Sequence, residues 1–285
     1  MDLTPFELRN GRWYKREDSF TGPAGVNGAK LRACDHLISR AAASGARRVI
    51  SAASVLSPQN AMASILAARY GLGCTVVVGG TRPDTAFRHR SMQIARDAGA
   101  RFEFIPVGYN PALQSHARSL AGLDPDAYWL RYGITPPPSA DTADLEAFHW
   151  TAGAQVENMP VTVRTLVVPF GSGNTGAGVL LGLDRFGLRD TLERVVLVCI
   201  GPDRQPWLVD RLHRLNVGGE FWETVDLHGS RYASYSDRMP GRADGIVLHP
   251  TYEGKVVRYL DEHRPSWWTR RDGSTALWIV GGPIG

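Results

Sequence analysis

Short apolar runs alternate with segments of helical periodicity along most of the 285-residue chain. Each run has the length of a strand and is too short for a membrane helix. The alternation predicts parallel sheets with helices on both faces, because a parallel connection has to cross back over its sheet. We therefore predict strands at 48–52, 74–78, 101–107, 127–131, 165–170, 195–200 and 276–280, and helices at 30–43, 60–70, 84–98, 145–156, 177–186 and 206–215.

The chain is long enough to form two domains. The segment 133–139 contains three consecutive prolines after a glycine, so it is the best candidate for a linker. We predict a smaller α/β domain over residues 48–140 and a larger one formed by 1–47 and 141–285. In such folds ligands bind in a cleft beyond the carboxyl ends of the strands.

Charge and cysteine content exclude few functions. The net charge is +4, and the arginines are scattered, so charge alone does not establish nucleic-acid binding. Cys34, Cys74 and Cys199 are far apart and lack metal-ligand spacing, which predicts free thiols, buried at Cys74 and Cys199, and no metal site. The N-terminus lacks the pattern of a signal peptide, and we expect a cytoplasmic protein without membrane segments.

A lysine stands at the point where a glycine-bearing loop gives way to a helix. This residue, Lys30, follows Asn27-Gly28-Ala29, and the polar run Tyr14–Asp18 precedes the loop. A helix N-terminus and partial burial both disfavour an ammonium group, so the Lys30 amine becomes easier to deprotonate. A Schiff-base lysine requires this property. The alternative is a solvated lysine in a first helical turn.

A second loop is rich in glycine and lies between a predicted strand and a predicted helix. Such a loop brings backbone N–H groups close to a phosphate, and the helix dipole favours the anion. The same spacing fits the dinucleotide motif G-x-G-x-x-G, with Asp203 as the ribose ligand of a nicotinamide oxidoreductase, although Asp203 follows about 30 residues later instead of the usual ~20. A tight turn without a ligand is the third interpretation. The loop comprises Gly171, Ser172, Gly173, Asn174, Thr175 and Gly176.

Two further motifs follow later in the chain, and the four motifs together occur in an order that is typical of one family. The two are HPTYEGK, which ends at Lys255, and the terminal Gly281-Gly282-Pro283. With the Lys30 segment and GSGNTGAG, they resemble the pyridoxal-phosphate (PLP) enzymes that include 1-aminocyclopropane-1-carboxylate (ACC) deaminase and D-cysteine desulfhydrase. The resemblance implies fold type II, the tryptophan-synthase-like fold. Its two domains have twisted parallel sheets covered by helices, and the cofactor lies in the interdomain cleft.

The resemblance also implies roles for individual residues. Lys30 would form the Schiff base with PLP, and the glycine loop would hold the phosphate. HPTYEGK is similar to the deaminase-type DPVYEGK, so Tyr252 would act as an acid/base or contact the substrate and Glu253 would face the pyridine nitrogen. Ser57 falls where the family has a serine that contacts substrate and carries protons.

The sequence departs from the family pattern at several points. Pro58 stands where an asparagine normally meets the ring hydroxyl, so either Gln59 or Asn60 replaces that contact or the contact is lost. Ala29 precedes Lys30 in place of the usual asparagine. The stretch 235–244 is short, which predicts that a helix near the substrate is missing.

These observations predict a PLP-dependent lyase or deaminase that acts at the α or β carbon of an amino acid, as a homodimer by resemblance. One alternative is a PLP enzyme that reworks an amino acid attached to a modified thymine base in phage DNA, as PLP enzymes of viral DNA-hypermodification systems do. The short stretch, Pro58 and the arginines Arg231, Arg238 and Arg242 favour that alternative, because basic residues attract a polyanion. The others are the nicotinamide oxidoreductase and a PLP-binding protein without activity.

Overall fold

A computed structural model describes residues 2–234 and 237–284. The chain divides into two compact units. Unit 1 contains the residues up to Phe20, together with Asn27–Ala29 and Asp141–Pro283, and unit 2 contains Thr21–Val26 and Lys30–Ala140. The sequence predicts that residues 30–47 belong to the larger domain, whereas their contacts group them with unit 2. One such contact is the hydrogen bond from the Tyr70 hydroxyl to Asp35.

The described residues contain the following elements. The strands are β1 (Phe6–Arg9), β2 (Arg12–Arg16), β3 (Arg48–Ala52), β4 (Gly73–Gly79), β5 (Arg101–Ile105), β6 (Ala127–Leu130), β7 (Thr165–Phe170), β8 (Arg194–Cys199), β9 (Glu223–Asp226), β10 (Gly241–Ala243), β11 (Ile246–Leu248) and β12 (Thr275–Ile279). The helices are α1 (Ala29–Ala43), α2 (Pro58–Arg69), α3 (Pro83–Ala86), α4 (Arg90–Asp97), α5 (Asn110–Gly122), α6 (Thr142–Gly153), α7 (Asn174–Arg185), α8 (Gln205–Arg214), α9 (Glu253–His263) and α10 (Ser266–Thr269).

Unit 2 is built on a four-stranded parallel sheet in the order β5-β4-β3-β6. Its core includes Ile50, Val77 and Leu113. The helix predicted at 84–98 is wrong as a single element, because the chain forms α3 and α4 instead. His89 has an extended backbone and precedes α4 as its N-cap residue, while the ring of Phe87 packs edge-on against Phe102 at 4.9 Å.

Unit 1 is built on a six-stranded sheet in the order β1-β2-β12-β7-β8-β9. Among the described strands of this sheet, only the β1–β2 pair is antiparallel. The last strand, β12, lies between β2 and β7, and all its residues are buried. This position brings the segment that follows β12 beside the N-terminal part of the chain. The two sheets confirm the predicted α/β class.

Helices α6 and α7 of unit 1 approach each other at glycines. A Cβ added at Gly182 would lie 2.1 Å from the carbonyl oxygen of Gly153, and one at Gly178 would lie 2.5 Å from that of His149. A side chain at either position would force the helices apart. The close contact fixes the start of α7, where the glycine-rich loop ends.

The β10–β11 pair is a hairpin that turns at Asp244-Gly245. Both residues have positive φ, 48° and 86°, which a two-residue turn of type I′ requires. The Asp244 carboxylate accepts hydrogen bonds from Asn10, Tyr14 and Arg271, so the hairpin turn is tied to the β1–β2 turn, to β2 and to the loop before β12. The described residues between 228 and 252 form no helix. Tyr235, at one end of the short stretch noted in the sequence, lies outside the described residues.

All three cysteines are free and buried, which confirms the predicted state of Cys74 and Cys199. Within the described ranges, no helix has the length and apolar character needed to span a bilayer.

Candidate functional site

The glycine-rich loop joins buried strand β7 to the N-terminus of α7. Gly173 has φ of +92°, and a Cβ there would lie 2.3 Å from the ring of Trp207. A Cβ at Gly176 would lie 2.5 Å from the ring of Phe170. Both positions therefore require glycine, and the chain can place consecutive N–H groups at the helix start. Ser172 and Thr175 are half-buried, whereas the glycines and Asn174 are buried. The loop has the form of an anion site at a helix N-terminus.

Glu253 is the first residue of α9 and is fully buried. Its Oε1 atom accepts a hydrogen bond from the backbone N–H of Val280 at 2.6 Å. Its Oε2 atom has no hydrogen-bond partner among the residues that the structure describes. Burial raises the pKa of this carboxyl to about 8, although N–H groups of Val280 and Gly281 act in the opposite direction. A buried carboxylate oxygen of this kind suits a protonated ring nitrogen, which would supply the missing donor.

The segment before Lys30 is held by the same residue that contacts Glu253. The Ala29 N–H donates to the Val280 carbonyl at 2.9 Å. Gly28 has φ of +93°, and a Cβ there would lie 2.4 Å from that carbonyl oxygen. The side chain of Asn27 accepts a hydrogen bond from the Gly282 N–H at 2.6 Å. Three of the four sequence motifs therefore converge on residues 280–282.

Lys30 is the second residue of α1 and is half-buried. It follows directly after Ala29. Sequence reasoning assigned no role to Asn27, although this residue closes the contact between the lysine segment and Gly282. The signal was present as Asn27-Gly28, but a single sequence does not show its partner.

Tyr252 precedes α9 and is half-buried. Its ring lies 5.0 Å from the ring of His249. The Nδ1 atom of His249 accepts a hydrogen bond from the Thr251 N–H at 3.2 Å, so this nitrogen is unprotonated. The turn thus holds an imidazole beside the Tyr252 phenol, and the sequence analysis did not assign a role to that imidazole.

Ser57, Gln59 and Asn60 lie at the start of α2 in unit 2. The half-buried Ser57 is the N-cap residue, and its hydroxyl accepts a hydrogen bond from the Gln59 N–H at 3.3 Å. Its carbonyl accepts from the Ser91 hydroxyl at 2.6 Å. Pro58 occupies the first helical turn, where a missing N–H is tolerated.

The polar side chains of Gln59 and Asn60, which follow Pro58, form hydrogen bonds with other residues of unit 2. The Gln59 amide oxygen accepts from the Gly133 N–H, and its nitrogen donates to the Leu130 and Arg131 carbonyls. Asn60 accepts from the Ser51 hydroxyl and donates to the Ala53 and Ser54 carbonyls. These contacts favour a role in holding the loops of unit 2, and the predicted contact with the ring hydroxyl stays a prediction.

The three arginines singled out in the sequence are exposed. Arg231 forms an ion pair with Glu262. Its charge is therefore largely offset, whereas the guanidinium of Arg242 donates to the Gly245 carbonyl in the hairpin turn.

A family model described as pyridoxal-phosphate dependent enzyme matches residues 4–263. The chain belongs to this family. PLP is accordingly its cofactor, and the membership decides against a nicotinamide oxidoreductase. The protein is a PLP-dependent enzyme of the lyase and deaminase type, as the resemblance implied. The buried glycine loop and the carboxyl oxygen of Glu253 without a partner in the described residues fit this cofactor.

The chain is also similar to individual proteins of the family, two by sequence and one by structure. The O-seryl-dTMP PLP-dependent decarboxylase of Salmonella phage ViI is 29% identical, over 94% of this chain and 77% of that protein. The ACC deaminase of Methylobacterium sp. (strain 4-46) is 26% identical, over 86% and 78%. The crystal structure of an ACC deaminase homologue covers 100% of this chain and 90% of its own, with a TM-score of 0.74 and 23% identity, and shows the common fold.

Proposed function

We propose that the protein uses PLP bound to Lys30 to act at the α carbon of an amino acid carried on a thymidine nucleotide. One observation supports the assignment of Lys30 and Glu253 to the same cofactor site. Val280 contacts both the Glu253 carboxyl and the segment that ends at Lys30, so two motifs far apart in the sequence meet at one backbone position. The glycine loop Gly171–Gly176 would hold the phosphate of the cofactor through N–H groups and the Ser172 and Thr175 hydroxyls.

PLP, when bound to a lysine, accepts the electron pair released at the α carbon of an amino acid. The Glu253 carboxylate would accept a hydrogen bond from the ring nitrogen and would stabilise its protonated form. The Lys30 amine would carry the proton that the α carbon gains or loses. The Ser57 and Tyr252 hydroxyls would serve as further proton carriers.

The similarity to the phage decarboxylase supports the nucleotide as carrier of the substrate, because it extends over 94% of the chain. His249 also replaces the aspartate of the deaminase-type DPVYEGK segment, which removes a negative charge next to Tyr252. An anionic nucleotide is better tolerated after that change. The reaction would break the bond from the α carbon to the carboxylate, release CO₂ and place a proton on that carbon, so no oxidant or reductant is needed.

A free small amino acid is the second candidate substrate. The ACC deaminases match 86% of this chain, and Tyr252 and Glu253 occupy the same motif. In that case the products would be ammonia and a keto acid.

The cofactor assignment is tested first on the purified protein loaded with PLP. Borohydride should trap the cofactor on Lys30, as peptide mass spectrometry would show, and Lys30→Ala should yield no trapped adduct. An adduct on another lysine would refute the assignment. Arg32→Ala is a matched control on the same helix.

The substrate is tested by comparing O-seryl-dTMP, serine, D-cysteine and ACC. Release of CO₂ with an amine from O-seryl-dTMP alone would support the nucleotide substrate. Ammonia from the free amino acids would support the second candidate. A protein that forms the lysine adduct and converts none of them would be catalytically silent on these substrates and would refute the proposed activity.

The homodimer, the cytoplasmic location and the use of polymeric DNA as substrate remain predictions from the sequence. Sedimentation at several protein concentrations tests the dimer directly.

A further inference from the structure

Three side chains from α6 and α8 lie behind the glycine loop. His149 is 1% exposed and Arg211 is 7% exposed. The Nδ1 atom of His149 lies 3.1 Å from the carbonyl oxygen of Asn174, and its Nε2 atom lies 2.9 Å from Nη1 of Arg211. The Arg211 guanidinium also lies 5.0 Å from the centre of the Trp207 ring. A buried cation is thus linked through one imidazole to the first residue of α7.

The chemistry of the partners fixes the proton on His149. A guanidinium only donates hydrogen bonds, so Nε2 must accept one and carries no proton. The proton then resides on Nδ1, which donates it to the Asn174 carbonyl. Burial and the neighbouring Arg211 lower the pKa of His149 to about 3, so the ring stays neutral at physiological pH.

The Asn174 carbonyl belongs to the same peptide group as the N–H of Thr175. A hydrogen bond to the carbonyl oxygen polarises the peptide and strengthens its N–H as a donor. The N–H groups in the first turn of a helix have no acceptor within the helix. The polarisation that Arg211 and His149 cause therefore acts on the Thr175 N–H, a group that is able to bind an anion.

Trp207 holds the other side of the loop. Its ring occupies the space that a side chain at Gly173 would need. The same ring covers the Arg211 guanidinium. Helix α8 consequently fixes both the backbone of the loop and the position of the buried cation.

We propose that Arg211, acting through neutral His149, is a positioning residue that strengthens binding of the cofactor phosphate by the loop Gly171–Gly176. The inference rests on the phosphate role of that loop under the proposed function. Neither residue touches the cofactor in this scheme. Their effect is specific for the phosphate and does not extend to the pyridine ring.

The test compares PLP with pyridoxal, which lacks the phosphate. The dissociation constant of each is measured by absorbance titration of the cofactor-free protein. Arg211→Met should weaken PLP binding about tenfold, because a charge-assisted interaction is lost. Its affinity for pyridoxal should remain within a factor of about two. Arg214→Met, about one turn further along α8, changes the net charge equally and should leave both affinities unchanged.

A pair of His149 variants provides the second measurement. It tests the phosphate-specific role of the Arg211–His149 pair even if Arg211→Met does not fold. His149→Phe removes the link and should reproduce the phosphate-specific loss. His149→Asn keeps a donor for the Asn174 carbonyl and should recover part of the PLP affinity. Equal weakening of PLP and pyridoxal in these variants, or unchanged PLP affinity, would overturn the inference.

A variant of the loop itself separates this inference from the function proposed above. The double substitution Ser172→Ala, Thr175→Val removes the hydroxyl donors. If it weakens PLP selectively while Arg211→Met has no effect, the loop binds phosphate and the role of Arg211 is wrong. If the double variant also leaves the preference for PLP over pyridoxal unchanged, the phosphate role of the loop fails as well.

Discussion

Replacing Glu253 with glutamine tests the buried carboxyl at the proposed cofactor site. Burial raises its pKa to about 8 from an ordinary value of 4.5. Between these values the folded protein binds a proton that the unfolded chain has released. The stability of the cofactor-free protein therefore falls as pH rises, by about 1.4 kcal/mol per pH unit. The loss amounts to about 3 kcal/mol at pH 7 and about 4 kcal/mol at pH 8, and both values are upper limits.

Glutamine is neutral throughout this range and keeps an oxygen for the Val280 N–H. The cofactor-free Glu253→Gln protein should match the wild type near pH 4.5. At pH 7 it should be more stable by up to about 3 kcal/mol, which corresponds to a rise in Tm of up to about 5 °C for a chain of this length. Thermal unfolding followed by circular dichroism from pH 5 to 8 measures the difference. A difference that does not change with pH would refute the raised pKa.

The addition of PLP should counteract this difference in stability between the wild type and Glu253→Gln. A protonated ring nitrogen stabilises the Glu253 carboxylate but gains no charge interaction from glutamine. PLP should raise the Tm of the wild type more than that of the variant, and equal increases would argue against contact between this carboxyl and the ring nitrogen.

Three further predictions concern the packing of unit 1 and the nature of the substrate. Gly182→Ala should destabilise the protein by about 1–3 kcal/mol or more, because its Cβ meets the Gly153 carbonyl, whereas Gly122→Ala in open space should be neutral or slightly stabilising by urea denaturation. Asp244→Ala should lower stability by about 1–3 kcal/mol, since Tyr14 and two other donors lose their acceptor, and an unchanged urea midpoint would contradict that anchoring role. Activity on a nucleotide should depend only modestly on salt, whereas activity on polymeric DNA should fall steeply between about 50 and 200 mM salt; a flat response on DNA would exclude phosphate contacts as the source of binding.

The alternation of strands and helices was readable from the sequence because it depends on local periodicity. The strands at 48–52 and 165–170 have the predicted bounds. Glycine spacing and the order of the four motifs indicated the PLP family, since a phosphate loop needs several glycines close together in the sequence. Lys30 and Glu253 were candidates on these grounds, and their roles await the experiments above.

Other features depend on contacts between residues far apart in the chain. The sequence does not show that β12 inserts between β2 and β7, and only this insertion places Val280 against both Glu253 and the Lys30 segment. His149 and Arg211 carry no motif, and their pairing exists only because α6 and α8 pack beside α7. Local chemistry therefore determined which residues are candidates for binding the cofactor, whereas tertiary packing decided which of them meet and how their charges are tuned, because burial and distance are properties of the folded chain.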